Sequence, residues 1–520
     1  MLKLTDALHE LNKESYQKEI EKLETVKKTK GISAAVFNLK EKVLGPKQCS
    51  MDAVVIEDPV SGETINDPER IKEVTLEYCK NLLKDRDPTP GYEEIHERKK
   101  KLHLSRMKEK VEDDIETLTE TQFQDALKTV SKKNSDKYKF ILKAGDSLLN
   151  AIFKLFSLVW SSENVPDCWT DSLLIQLYKG RGSKSNFENL RFIHLKENPL
   201  PKLFSQIVLA EAKVNLYKNM TKFQIATKPG HRASEHVFFI FSLMSFCEKT
   251  GSVIIISMFD IKKYFDSESA LDCWSELYNS QVKGKVYRLL FNLNKTSRIK
   301  VKTSVGVSQS AVTGPLVTQG SVEGAVLSAV NLDNGIREFF HNEEEKDDNN
   351  DKKKDKEAEK DDKVIPNTDD KKDDEDVKYG NIKLKPLLFQ DDIWNASKSR
   401  DAAQRTNEKM EMLMESKLLD LHLDKSCYIV AGEKKAREKI KKQLNSKPLL
   451  LYRKNMKEAV NNKYLGVILS STVAQSVADT VTRRVGVARR TVYEIKIIVE
   501  DSQAGVRGSF LVRLNLWSSL

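Results

Sequence analysis

Between residues 251 and 260 the chain reads GSVIIISMFD. The run Val253, Ile254, Ile255, Ile256 fits a strand buried within a sheet, which requires a core around it. That strand delivers Asp260 at its end. Further on, PLLFQDDIWNAS (386 to 397) sets Asp391 and Asp392 between two apolar runs, Leu387 to Phe389 and Ile393 to Trp394, with Gln390 beside them at the turn. The pattern predicts two strands joined tightly. Adjacent anions repel, so the pair needs a reason. One reason is that Asp is a common turn residue. The other is that Asp260 joins the pair, and a divalent cation neutralises all three.

A chain of 520 residues is long enough for a sizeable core and for two or three lobes. No apolar run reaches the roughly 18 residues that a membrane span requires. The start, MLKLTDALHELNKESYQKEIEKLETVKK, reads as a charged helix rather than a signal peptide. These features predict a soluble intracellular chain with no membrane partner. Six cysteines, at 49, 79, 168, 247, 273 and 427, show no Cys-x-x-Cys spacing and read as reduced core residues. His231 and His236, five apart, lack the pattern of a zinc site.

The segment 343 to 376 holds 17 acidic residues against 9 lysines, so the rest of the chain, whose total is +10, carries +18. Such an excess suits a polyanionic partner, and equally a solvated lysine-rich surface. From 341 to 378 aromatics are absent and aliphatics nearly so, which predicts a disordered surface insertion. Its ends should lie close together, because folded-looking sequence resumes at YGNIKLKPLLFQDD. Residues 1 to 130 read mostly as polar helices. AVVIEDPVSGETINDPER interrupts them with the pattern of a short hairpin followed by a capped helix start. After about 135 the helices become more apolar, as in KFILKAGDSLLNAIFKLFSLVW, and DSLLIQLYKG follows as a strand.

DIKKYFD (260 to 266), TQGSVEGAVLSA (318 to 329), FQDD (389 to 392), LHLDKS (421 to 426) and YLG (464 to 466) resemble, in order and spacing, the palm motifs of reverse transcriptases. Upstream, VPDCWTDSLLIQLYKGRGSKSNFENLRFIHL resembles the fingers of the non-LTR, LINE-like retrotransposon branch. The resemblance spans roughly residues 130 to 500, and the joint order of the motifs is more specific than any one of them.

It implies an α+β right-hand polymerase, with fingers, a palm built on an antiparallel sheet and a short thumb. The implied division is a helical N-terminal extension over 1–130, fingers and palm over 131–470, and a truncated thumb over 471–520. Asp260, Asp391 and Asp392 match the carboxylates that hold two Mg²⁺ ions. Phe265 matches the aromatic gate against a ribose 2′ hydroxyl. Lys179 and Arg191 match triphosphate contacts, with Arg181 and Lys184 extending the basic cluster. Gln319 and Gly320 match the pair beside the nascent base pair, although Glu323, Gly324 and Ala325 replace the usual Ser-Pro that follows. Lys425 matches a general acid for pyrophosphate. Tyr464 and Gly466 match the primer grip, while Arg483, Arg484, Arg489 and Arg490 suit a thumb helix facing duplex phosphates.

The implied partners are an RNA template, a DNA primer and dNTPs, and priming on chromosomal DNA would require nuclear access. Neither an endonuclease nor a cysteine-rich module is recognisable, and the stop after LVRLNLWSSL suggests a piece of a larger element protein. Two other readings stay open: a remnant that binds nucleic acid without synthesis, and an RNA-dependent RNA polymerase. Phe265 and Gln390 argue against the second.

Overall fold

The structure is a computed structural model that describes residues 55–84, 93–109, 111, 117–131, 141–143, 145–196, 198–295, 297–314, 317, 319–321, 323–340, 378–379 and 382–501. Residues 51–473 form one compact unit, and the described residues from Ala474 onward belong to another. The fold is α+β, with two mixed sheets set among helices.

The hairpin foreseen in AVVIEDPVSGETINDPER is present as Ile56–Glu57 paired with Thr64–Ile65. Asp67 then caps the helix Pro68–Leu82, accepting from the Arg70 amide at 2.7 Å, and Pro68 occupies the first turn, where its missing N–H costs nothing. Ile71, Val74 and Cys79 of this helix share a core with Leu174, Phe192, Ile299 and Val301. That core covers the first sheet. Its strand Ser172–Tyr178 pairs antiparallel with Leu190–Leu195 and parallel with Ser297–Thr303, which comes from much later in the chain.

The largest core is helical, and Phe156 sits at its centre in edge contact with Trp169 and Phe204. The helix Gly324–Phe340 contributes to it through Val326, Leu327, Ala329 and Val330.

The second sheet runs in the order Leu387–Phe389, Asp392–Ser397, Val253–Phe259, Cys427–Gly432, Lys457–Glu458. Its first four strands are mutually antiparallel, and only the edge strand Lys457–Glu458 runs parallel to its neighbour. Successive residues of a strand face opposite sides of the sheet. Ile255 and Phe259 accordingly meet the helices Arg400–Ser416 and Lys434–Ser446 on one side. On the other side Ile254, Ile256 and Met258 meet the helix Ala233–Thr250. Double coverage explains why Val253 to Ile256 are all apolar rather than alternating.

The charged insertion expected over 341–378 lies outside the described residues as far as 377, and Lys378–Tyr379 pairs with Ile382–Lys383. Residues 1–54 and 502–520 are likewise outside them. In the unit that begins at Ala474, the helix Val473–Asp501 exposes Arg483, Arg484 and Arg489; the side chain of Arg490 is not among those described. Among the described residues no helix is long and apolar enough to cross a membrane.

Candidate functional site

Register brings the three carboxylates to one place. Ile393 pairs with Phe259, so Asp392 and Asp260 stand one step further along the same ladder, where the strands end. Phe389 pairs with Asp392, leaving Gln390 and Asp391 as a two-residue turn. Gln390 takes a positive φ of 62°, a conformation that Gly adopts more easily. Three hydrogen bonds hold it there. Its Nε2 donates to the Ala325 carbonyl at 2.8 Å, its amide donates to Gln224 Oε1 at 3.2 Å, and its carbonyl accepts from Gln224 Nε2 at 3.3 Å. Gln224, fully buried, was not singled out by any sequence motif.

Asp260 sits in a cradle made by LHLDKS. Its amide donates to Ser426 Oγ at 3.1 Å, its carbonyl accepts from the His422 amide at 2.7 Å, and Lys425 Nζ meets its Oδ2 at 3.0 Å. Lys425 therefore reaches the carboxylate site itself. The carboxyl of Asp391 is raised above its ordinary range, first by burial and then by the charge of Asp260, with Arg191 opposing. Asp392 is pushed up to about 6 by the protein packed around it, by Asp391 and by Asp260, with Lys463 opposing, although its surface stays exposed. The charge of Asp260 thus acts on both Asp391 and Asp392, and burial adds to it at each.

Hard carboxylate oxygens held at mutual repulsion are the donor set Mg²⁺ prefers, and Mg²⁺ usually takes only one or two protein carboxylates beside substrate phosphates. Among the described residues no three His, Cys, Asp or Glu side chains form a ready-made metal cage.

The remaining expected residues surround this point at different depths. Phe265 is half-buried beside Tyr264, ring centroids 5.7 Å apart, at the edge of the core that contains Ile261 and Leu388. Gln319 accepts from the His194 amide at 2.8 Å through its carbonyl. Gly320, at φ 109°, lies so close to the Leu190–Leu195 strand that an added Cβ would stand 2.7 Å from the His194 carbonyl oxygen, which only glycine avoids. Arg191 is exposed on the same strand. Lys179 Nζ donates to the Glu188 carbonyl at 2.7 Å, and Lys184 Nζ lies over the Tyr178 ring; Arg181 is exposed.

Tyr464 is buried, its hydroxyl 3.3 Å from His236 Nδ1, and its own ionisation is pushed up by burial first and by the charge of Asp392 next. Leu465 (φ 43°) and Gly466 (φ 89°) make the tight turn between Asn461–Tyr464 and Val467–Ser470. His236 is 3 % exposed and burial lowers it to about 4, so it is neutral at physiological pH. His231 bonds Glu235 at 2.8 Å on the surface.

No protein-family model and no curated protein matches the chain. Solved structures do. An apo telomerase from Candida tropicalis, truncated from its C-terminal domain, shares 9 % identity over 62 % of this chain and 59 % of that one, with a TM-score of 0.36. A telomerase from Candida albicans in complex with a TWJ fragment of telomeric RNA shares 11 % identity over 63 % and 49 %, also at a TM-score of 0.36. The chain thus spans about half the length of these structures. Likeness this faint adds nothing to what the sheet and its carboxylates establish.

Proposed function

We propose that the chain is an RNA-directed DNA polymerase of the retrotransposon kind, a right-hand enzyme that adds dNTPs to the 3′ end of a DNA primer. The observation that carries this reading is the meeting of Asp260, Asp391 and Asp392 at the ends of neighbouring antiparallel strands, with their charges in mutual repulsion. In this reading the sheet ordered around Val253–Phe259 is the palm, and the sheet around Ser172–Tyr178 belongs to the fingers.

Asp260 and Asp391 would hold two Mg²⁺ ions, with Asp392 beside them. Those ions, when bound, would lower the pKa of a primer hydroxyl and neutralise the phosphates. The chain's own side chains do the rest. Arg191 and Lys179 bind triphosphate oxygens, and Arg191 is already near enough to Asp391 to act on its charge. Lys425, held on Asp260, stands at the rim of the site and would act as general acid where a pyrophosphate oxygen leaves. Phe265 lies beneath the position of the sugar. Gly320 lets the backbone approach the base pair, and the turn at Leu465–Gly466 supports the primer.

The test is extension of a DNA primer on an RNA template. Incorporation of dNTPs that needs Mg²⁺ and disappears in Asp391→Ala is the expected result. Binding of the primer–template without extension, by the unmodified chain, would leave only a nucleic-acid-binding remnant.

A further inference from the structure

One contact beside the site has no part in the chemistry above. Glu188 lies in the short turn Phe187–Asn189 at the end of the segment that carries Lys179, and its side chain is 62 % exposed. Two ammonium groups nevertheless converge on it. Lys179 Nζ donates to its carbonyl at 2.7 Å, and Lys263 Nζ meets its carboxylate Oε1 at 2.5 Å. Lys263 comes from DIKKYFD, three residues after Asp260, and holds a left-handed φ of 44° that a residue with a Cβ adopts at some cost. Tyr78 steadies the same ammonium, its hydroxyl accepting at 3.3 Å, while its ring packs on Phe187 at 4.6 Å and on Phe192 at 5.6 Å.

The surroundings are cationic beyond this pair. Lys179 feels the charges of Lys263 and Arg191, and Arg191 in turn acts on Asp391. Asp266 is the second anion facing Lys179 and Lys263. Lys179, Lys263 and Arg191 outnumber the anions Glu188 and Asp266 beside them, and a ligand with more negative charge than a single glutamate would satisfy them better.

We propose that Glu188 is a built-in stand-in for a nucleotide phosphate, and that Lys263 is a third cation of the triphosphate-binding surface, released when the triphosphate displaces the glutamate. The proposal rests on the polymerase reading for the identity of the ligand, and on the Lys179, Lys263 and Glu188 contacts for the site. The glutamate carboxylate keeps Lys263 in place in the empty chain and weakens triphosphate binding by competing for it. An ion pair this exposed contributes little to stability, so its removal leaves the fold intact.

Inorganic tripolyphosphate is the probe, titrated calorimetrically into the full chain. Glu188→Gln should tighten its binding about three- to tenfold, the range expected for freeing one charge-assisted contact near the surface. Lys263→Gln should weaken binding by a similar factor. In the Lys263→Gln background the Glu188→Gln change should have no further effect, which a merely structural pairing does not predict. Unchanged or weaker binding in Glu188→Gln overturns the proposal. Primer extension separates the two readings. Tighter binding in Glu188→Gln by a chain that extends no primer keeps the stand-in and removes the polymerase; extension with unaltered dNTP KM and unaltered tripolyphosphate affinity removes the stand-in alone.

Discussion

At the scale of single residues, Phe265 carries the sharpest expectation about substrate choice. Its ring is half-buried against Tyr264 and the core around Leu388, so it is fixed in place and a sugar meeting it would find a wall. Phe265→Ala should therefore relax discrimination against rNTPs by one or two orders of magnitude, on the order of 1–3 kcal/mol, measured as the ratio of kcat/KM for dNTP and rNTP. Unchanged selectivity would return the ring to a packing role. That Asp260, Asp391 and Asp392 come to the ends of strands was legible in the sequence because each adjoins a short apolar run. It left Gln224 and Lys263 unread. Gln224 matters only because Gln390 has turned into a positive-φ conformation beside it, and Lys263 because Glu188 lies across from it. Neither meeting leaves a local pattern.

At the scale of elements, the helix Ala270–Asn279 is fastened to its neighbours by buried polar contacts rather than by apolar packing alone. Glu276 meets Lys417, which is 3 % exposed, at 2.5 Å, and Lys417 holds its carboxyl down to about 2 against the opposing effect of burial. Lys417→Met would leave that carboxylate buried without its cation, at a cost of about 3–5 kcal/mol. Chemical denaturation should show the loss, and Glu276→Gln in the same chain should restore much of it. Glu268, just ahead of this helix, behaves oppositely. It accepts from Ser328 and from Asn331 Nδ2, yet burial raises it to about 7.

The folded state thus holds the Glu268 proton more tightly than the unfolded chain, whose carboxyl titrates near 4.5. Its contribution to stability is complete below pH 4.5 and is lost as the pH rises to about 7, by at most about 3 kcal/mol. Urea midpoints measured across that window should fall with rising pH in the parent chain and less steeply in Glu268→Gln. A parent chain as steep as the variant would refute the assignment. Secondary structure of this kind was readable where local rules decide it, as in the Asp67 cap and the hairpin before it. The parallel pairing of Ser172–Tyr178 with Ser297–Thr303 was not, because no local signal tells a strand which distant partner it will take.

At the scale of the whole molecule, the sheet with the carboxylates is assembled from segments on both sides of the charged stretch, since Val253–Phe259 precedes it and Leu387–Phe389 follows it. Deleting 343–376 and rejoining the ends should leave the thermal midpoint and primer extension largely unchanged, because closing a shorter loop costs little. A collapse of folding would show that the stretch has a structural duty. The basic excess outside it also predicts where salt acts, since binding of nucleic acid through phosphate contacts weakens as counterions are added.

The late arrival of Ser297–Thr303 in the first sheet bears on how the protein is made. While the ribosome is still delivering Val253–Phe259, Ser172–Tyr178 has only one of its two neighbours, and its other edge stays open until the chain beyond Thr296 emerges. Such an exposed edge invites pairing with foreign strands. Synthesis halted between these two strands should therefore leave material more prone to clump than the finished chain.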